Sequence, residues 1–243
     1  MLESKAMFLG GDMGSCADLE QFLKRNASTF SAPALWEKIA EKTPSEQVWI
    51  SYERSFGETD SEKHITVLRQ MLQGAPGNGY CAFKLQGLLD DKAGRRDVAG
   101  DLPGAVSVYQ EAIPLDTQNT QPVQGLEKAL SKCNPAERRD VWEKTWRDNP
   151  GSPQVAAFCG TARVAAGDIA GAREAFAASQ SLAPEDWYSC VLAADALAAV
   201  GAWGDAAAAY RRALEQNPKL DYLLPRLEEA GKFDDDCFAL QEG

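Results

Sequence analysis

The sequence predicts an all-α fold, an α-solenoid of stacked antiparallel helix pairs, from three observations. First, residues 153–186, PQVAAFCGTARVAAGDIAGAREAFAASQSLAPED, align without gaps on residues 187–220, WYSCVLAADALAAVGAWGDAAAAYRRALEQNPKL, each segment being 34 residues long. Self-similarity at such a period marks a repeat architecture. Second, prolines and large apolar residues recur in step upstream of this pair. Third, the apolar residues inside each segment fall at helical spacing.

The clearest repeat justifies its elements one by one. Val191, Leu192, Ala196 and Val200 form an apolar stripe that Gly201 ends. Ala206, Ala209, Tyr210, Ala213 and Leu214 form a second stripe, stopped by Asn217 and Pro218. Gly167, Ala172, Ala175, Phe176 and Pro184 occupy the matching places one repeat earlier. Further upstream the marks are Pro150, Thr117 standing in for a proline, Pro76 and Pro44. Eight residues before each mark stands a large apolar residue: Trp36, Leu68, Tyr109, Trp142, Phe176 and Tyr210. One helix pair cannot bury its apolar face alone, whereas stacked pairs can.

Three regions follow. Residues 1–76 are expected to form divergent helical repeats or an N-terminal cap. Residues 77–220 carry the regular repeats, with an insertion near 90–98, DDKAGRRDV, read as an exposed loop or an extra helical turn. Residues 221–243 are expected to form a C-terminal capping helix and an acidic tail containing Asp234 to Asp236.

Composition narrows the function classes. The chain of 243 residues is 44% hydrophobic and 25% charged, with a net charge of -11 and a pI near 4.7. That acidity argues against nucleic acid as a partner, because phosphate binding needs clustered Lys and Arg. No run reaches the roughly 20 apolar residues of a membrane span, and the start, MLESKAMFLGGDMGS, lacks the apolar core of a secretory signal. Cys16, Cys81, Cys133, Cys159, Cys190 and Cys237 are scattered, with no CxxC pair and a single histidine in the chain. Free thiols in a reducing cytoplasm are expected, with no metal and no cofactor.

Candidate chemistry is weak throughout. His64 falls at the small-residue position of a second helix, which suits packing better than general base catalysis. Cys159 and Cys190 occupy near-equivalent first-helix positions and read as core fillers. Gly10, Gly11 and Gly14 lack the GK[ST] ending of a phosphate loop, and Asp90 and Asp91 diverge by about 100° on a helix. Cys16 has Asp18 and Glu20 nearby, which favour the thiol over the thiolate. No catalytic residue is assigned.

The alanines, the second-helix aromatic and the late proline resemble the tetratricopeptide repeat, most closely over 153–220. The resemblance places the small residue at Ala105, Ala172 and Ala206, the aromatic at Trp142, Phe176 and Tyr210, and the proline at Pro150, Pro184 and Pro218. Arg138 stands where the third unit should carry a small residue. The family implies a right-handed superhelix whose first helices line a concave groove, here Val123, Glu127, Ala157, Phe158, Thr161, Tyr188, Val191 and Asp195. The Lys and Asn with which some co-chaperones of the family clamp a peptide carboxylate are absent from these places. The resemblance therefore implies a non-enzymatic interaction module, an adaptor or scaffold that docks a peptide or helix of a protein partner in the groove. Two alternatives remain open. Trp49, Tyr52 and Glu53 resemble the half-a-tetratricopeptide variant found in RNA-processing scaffolds, and a thiol-based or regulatory activity could reside in the N-terminal region.

Overall fold

The structure, a computed structural model, describes residues 13–25, 32–42, 46–55, 61–116 and 119–241. Every regular element among these residues is helical, as the periodicity requires. The chain divides into two compact units, residues 1–92 and 93–243.

The first unit contains α1 (Met13–Arg25), α2 (Ala32–Lys42), α3 (Glu46–Arg54), α4 (Ser61–Gly74) and residues 79–92 of α5 (Gly79–Val98). Helix α2 packs on α3, which α1 and α4 also touch. Trp36, Ile39, Tyr52, Ile65, Leu68, Leu85 and Leu89 are buried. The Cys81 thiol lies 3.8 Å from the Met71 sulfur, and Lys92 reaches from α5 to Glu62 of α4 at 2.7 Å. The segment 90–98 is the C-terminal half of the 20-residue helix α5, so the added residues are helical and form no loop. Arg95 and Arg96 in its last turn suit the negative end of the helix dipole. Gly10, Gly11, Pro44, Thr117, and the side chains of Trp49, Glu53, Asp234 to Asp236 and Cys237 lie outside the described residues.

The second unit continues through α6 (Leu102–Ala112), a 3-10 turn (Ile113–Leu115), α7 (Gln121–Leu130), α8 (Pro135–Asp148), α9 (Pro153–Ala165), α10 (Ile169–Leu182), α11 (Trp187–Ala199) and α12 (Trp203–Gln216). A second 3-10 turn (Asp221–Leu223) leads into α13 (Leu224–Gln241). Helices α9 with α10, and α11 with α12, are the two closely packed pairs. The first helices α7, α9 and α11 also touch in succession, and α13 packs on α12.

Glycine is required at one recurring place. Gly100, Gly167 and Gly201 end first helices with φ of 81°, 84° and 76°, a region costly for residues with a Cβ. The next amide then closes the turn: Asp101, Asp168 and Ala202 each donate to the carbonyl five residues back, at 2.9 Å. Asp101 and Asp168 go on to cap the second helix, their carboxylates accepting from Gly104 and Gly171 amides at 3.0 and 2.9 Å. Two adjacent residues thus end one helix and start the next. Ala202 holds the same position without a side-chain cap.

Between the helices, Ala105, Ala172 and Ala206 are fully buried, which permits close approach. All six residues of the large apolar series, Trp36 to Tyr210, are buried. Arg138 keeps its place in the register but is only partly buried, paired with Glu127 of α7. His64, the other long side chain in a small-residue slot, is also only partly buried. Polar bonds spaced by about one repeat join successive pairs: Gln110 to Thr145 at 2.9 Å, Lys132 to Asp97 at 2.8 Å and Arg173 to Asp205 at 2.5 Å.

Replacing Gly167 by Ala should lower unfolding free energy by about 1–2 kcal/mol, the cost of holding a Cβ in the left-handed region. Urea denaturation would measure it, and an unchanged midpoint would refute this account of the turn.

Candidate functional site

The residues expected to line a groove divide into two groups. Val123, Ala157, Phe158, Thr161 and Val191 are all buried, Thr161 and Val191 at 8% being the most exposed of them. They fill the space between helices. Glu127, Tyr188 and Asp195 retain surface. Burial, then the carboxylates of Asp186 and Glu127, raise the Tyr188 phenol pKa above its ordinary value. Glu127 belongs to α7 and Tyr188 to α11, so side chains from either side of α9 share one electrostatic environment.

Both acids of this face are engaged by their own repeat. The Trp142 indole Nε1 donates to Glu127 Oε2 at 2.9 Å, and the Tyr210 hydroxyl donates to Asp195 Oδ1 at 2.5 Å. Each aromatic lies fifteen residues after its acid. In the repeat between them the aromatic is Phe176, which has no polar tip. Thr161 stands fifteen residues before it, and its hydroxyl turns back to the Phe158 carbonyl at 2.8 Å. A buried N–H or O–H left without an acceptor is costly, which explains the acid beside Trp142 and Tyr210 and why none is needed beside Phe176. The Phe176 ring lies where a Cβ on Gly160 would come within 2.5 Å of it, so that glycine admits the ring. Phe158 in turn stacks on Trp142, with centroids 5.3 Å apart and planes 15° from parallel.

Arginines complete the two acids. Arg138 pairs with Glu127, and Arg226 of α13 donates to both Asp195 oxygens at 2.7 and 2.8 Å. Burial, and then the bond to Asp195, push the Tyr210 pKa up to about 12. These roles of Arg138, Arg226, the Trp142 N–H and the Tyr210 hydroxyl were not drawn from the sequence. Their available signal was the recurrence of acid and polar-tipped aromatic at a spacing of fifteen.

The remaining candidate groups are the thiols. Cys16, Cys81, Cys133, Cys159 and Cys190 take part in no disulfide among the described residues. Burial, opposed by Arg163, raises Cys159 to about 11, and burial also raises Cys133 and Cys190. Cys190 donates to Gln216 Oε1 at 3.6 Å. Among the described residues no group of three or more His, Cys, Asp or Glu could hold a metal ion, and no helix is long and apolar enough to cross a membrane.

Repeat length, paired helices and the buried alanine and aromatic positions define a tetratricopeptide-like helical-repeat protein. No family model matches the sequence, and no curated protein matches it. Among solved structures the chain is similar to MamA, at 19% identity over 70% of this chain and 94% of that one, with a TM-score of 0.39. It is also similar to YrrB, described as a TPR protein with an unusual peptide-binding site, at 14% identity over 79% and 97% of the two chains, with a TM-score of 0.45. A third similar structure is TTC0263, a thermophilic TPR protein of Thermus thermophilus, at 16% identity over 76% and 98%, with a TM-score of 0.42.

Two outcomes are expected. Tyr210→Phe should cost about 1 kcal/mol in thermal or urea unfolding, because Asp195 loses a donor. Adding Asp195→Thr, which recreates the Phe176 and Thr161 combination, should cost less than the sum of the two single changes; strict additivity would refute the pairing. In the native chain, Cys159 should alkylate far more slowly near neutral pH than after denaturation, since its thiolate becomes abundant only toward pH 11. A fast native reaction at Cys159, mapped by peptide mass spectrometry, would contradict its buried placement.

Proposed function

We propose that the chain is a non-enzymatic protein–protein interaction module, an adaptor or scaffold that docks a peptide or helix of another protein on the face of its first helices. The observation that carries this reading is the succession of first helices α7, α9 and α11, each touching the next, on which Glu127, Tyr188 and Asp195 retain surface. A face assembled from α7, α9 and α11 offers a continuous strip for an extended or helical segment. Of the groove residues, Glu127, Tyr188 and Asp195 meet the partner, while Val123, Phe158, Thr161 and Val191 set the shape beneath it. Of the regular repeats in 77–220, those in the second unit carry the interaction surface, with 1–76 as divergent repeats or an N-terminal cap and 221–243 as a C-terminal cap and acidic tail. Cysteines outside any disulfide fit action in a reducing, cytoplasmic compartment.

Affinity capture from native extract with the full chain as bait, followed by mass spectrometry, tests this reading. A stoichiometric protein partner is expected. Retention of RNA alone, or of nothing, would sink it.

A further inference from the structure

The net charge is concentrated at one end of the sequence. From Glu185 to Gly243 there are twelve acidic and five basic side chains, and α11 contains no Lys or Arg. Three of those five bases are engaged: Arg226 on Asp195, Lys232 on Glu228 and Arg212 on Gln180.

The same end carries aromatic surface. Trp187 and Tyr188 open α11, meeting edge to face with centroids 6.0 Å apart, and both are partly exposed. Tyr222 stands 34 residues after Tyr188, one repeat on, and is 55% exposed. The register of the stack continues into this region, because Arg226 binds Asp195 across a separation of 31 residues. Tyr188 lies in the first turn of α11 and Tyr222 in the 3-10 turn that leads into α13, one repeat length further along the chain. Each tyrosine has an acid close by in the chain. Asp186 caps α11 by accepting from the Tyr188 amide at 3.1 Å, and Asp221 directly precedes Tyr222 and is exposed. Along the chain the bases nearest Asp221 are Lys219 and Arg226.

Aromatic rings that keep surface, Tyr222 most of all, beside carboxylates with no paired cation favour one class of ligand, even though both Asp186 oxygens accept hydrogen bonds, from the Tyr188 amide and the Ser189 hydroxyl. Ring faces attract cations and the carboxylates add long-range attraction, whereas an acidic or purely apolar segment gains from only one of these or from neither. We infer that Trp187, Tyr188 and Tyr222, with Asp186 and Asp221, form a docking surface for a cationic helical segment of a partner protein, whose Lys or Arg side chains lie on the aromatic rings. The inference rests on the interaction reading above and adds to it the place of docking and the charge of the partner.

The test uses the full chain and a dye-labelled amphipathic peptide of Lys, Leu and Ala, compared by fluorescence anisotropy with a twin in which Glu replaces every Lys. The Lys peptide should bind at least about tenfold more tightly than its twin and should weaken sharply in about 1 M salt, where charges are screened beyond roughly 3 Å. Tyr222→Ala combined with Asp221→Asn should weaken binding about tenfold. Both sites are exposed, and an unchanged melting curve would establish that the variant is folded. Asp186→Asn, which keeps a good helix cap, provides a second variant and should also weaken binding. Equal affinity for the two peptides, or undiminished binding by the folded variants, overturns the inference. If wild type captures a protein partner from extract and the Tyr222→Ala, Asp221→Asn variant captures it equally well, this inference fails while the interaction reading stands. If wild type captures no protein, the interaction reading fails and this inference with it.

Discussion

The second unit depends on one contact repeated along it: a large aromatic of a second helix laid against the first helix of its own pair. Burying such a ring removes much of its apolar surface from water, on the order of 150–250 Å² each, and fixes the relation of the two helices. The contact also creates a polar problem wherever the ring carries an N–H or O–H. Trp142 and Tyr210 solve it with Glu127 and Asp195, and Phe176 avoids it with Thr161. Alanines at Ala172 and Ala206 bring the backbones near enough for the ring to reach, and the left-handed glycines turn the chain back within a few residues.

This arrangement changes the meaning of the acids on the first-helix face. Glu127 and Asp195 would read, from position alone, as groove carboxylates awaiting a ligand. Each instead accepts from an internal aromatic and pairs with an arginine. Both acids therefore reach the surface as groups already held in place by internal bonds. Arg138 illustrates the same economy of roles. It occupies a slot that elsewhere belongs to alanine, and its length is accommodated by pairing with Glu127, at some loss of close packing.

Much of this was legible in the sequence because the constraints are local or strictly periodic. A proline that cannot continue a helix, a glycine needed at positive φ and an aromatic at constant spacing all leave marks on the chain itself. Residues 90–98 were harder to read. Charged residues and a glycine permit a loop or a helix equally, and in the structure the helix runs on through Gly94 to Val98, with Leu89 and Ala93 buried one turn apart. The proposed lining was also only partly legible. First-helix positions can be identified from register, but whether Val123 or Val191 faces solvent or a neighbouring helix depends on how closely the next pair packs.

By itself the sequence determined the all-α class, the 34-residue repeat, the places where helices turn and the large residues that enter the core. These follow from backbone sterics and hydrophobic periodicity, which act over a few residues. Only the tertiary structure decided which polar groups satisfy one another. The partners Glu127 with Trp142, Asp195 with Tyr210 and Asp195 with Arg226 are 15 to 31 residues apart, and hydrogen bonding is specific to positions held within about 3 Å. Such positions exist only once neighbouring helices have packed, so the division between side chains that hold the stack together and side chains left to meet a partner is a property of the folded chain.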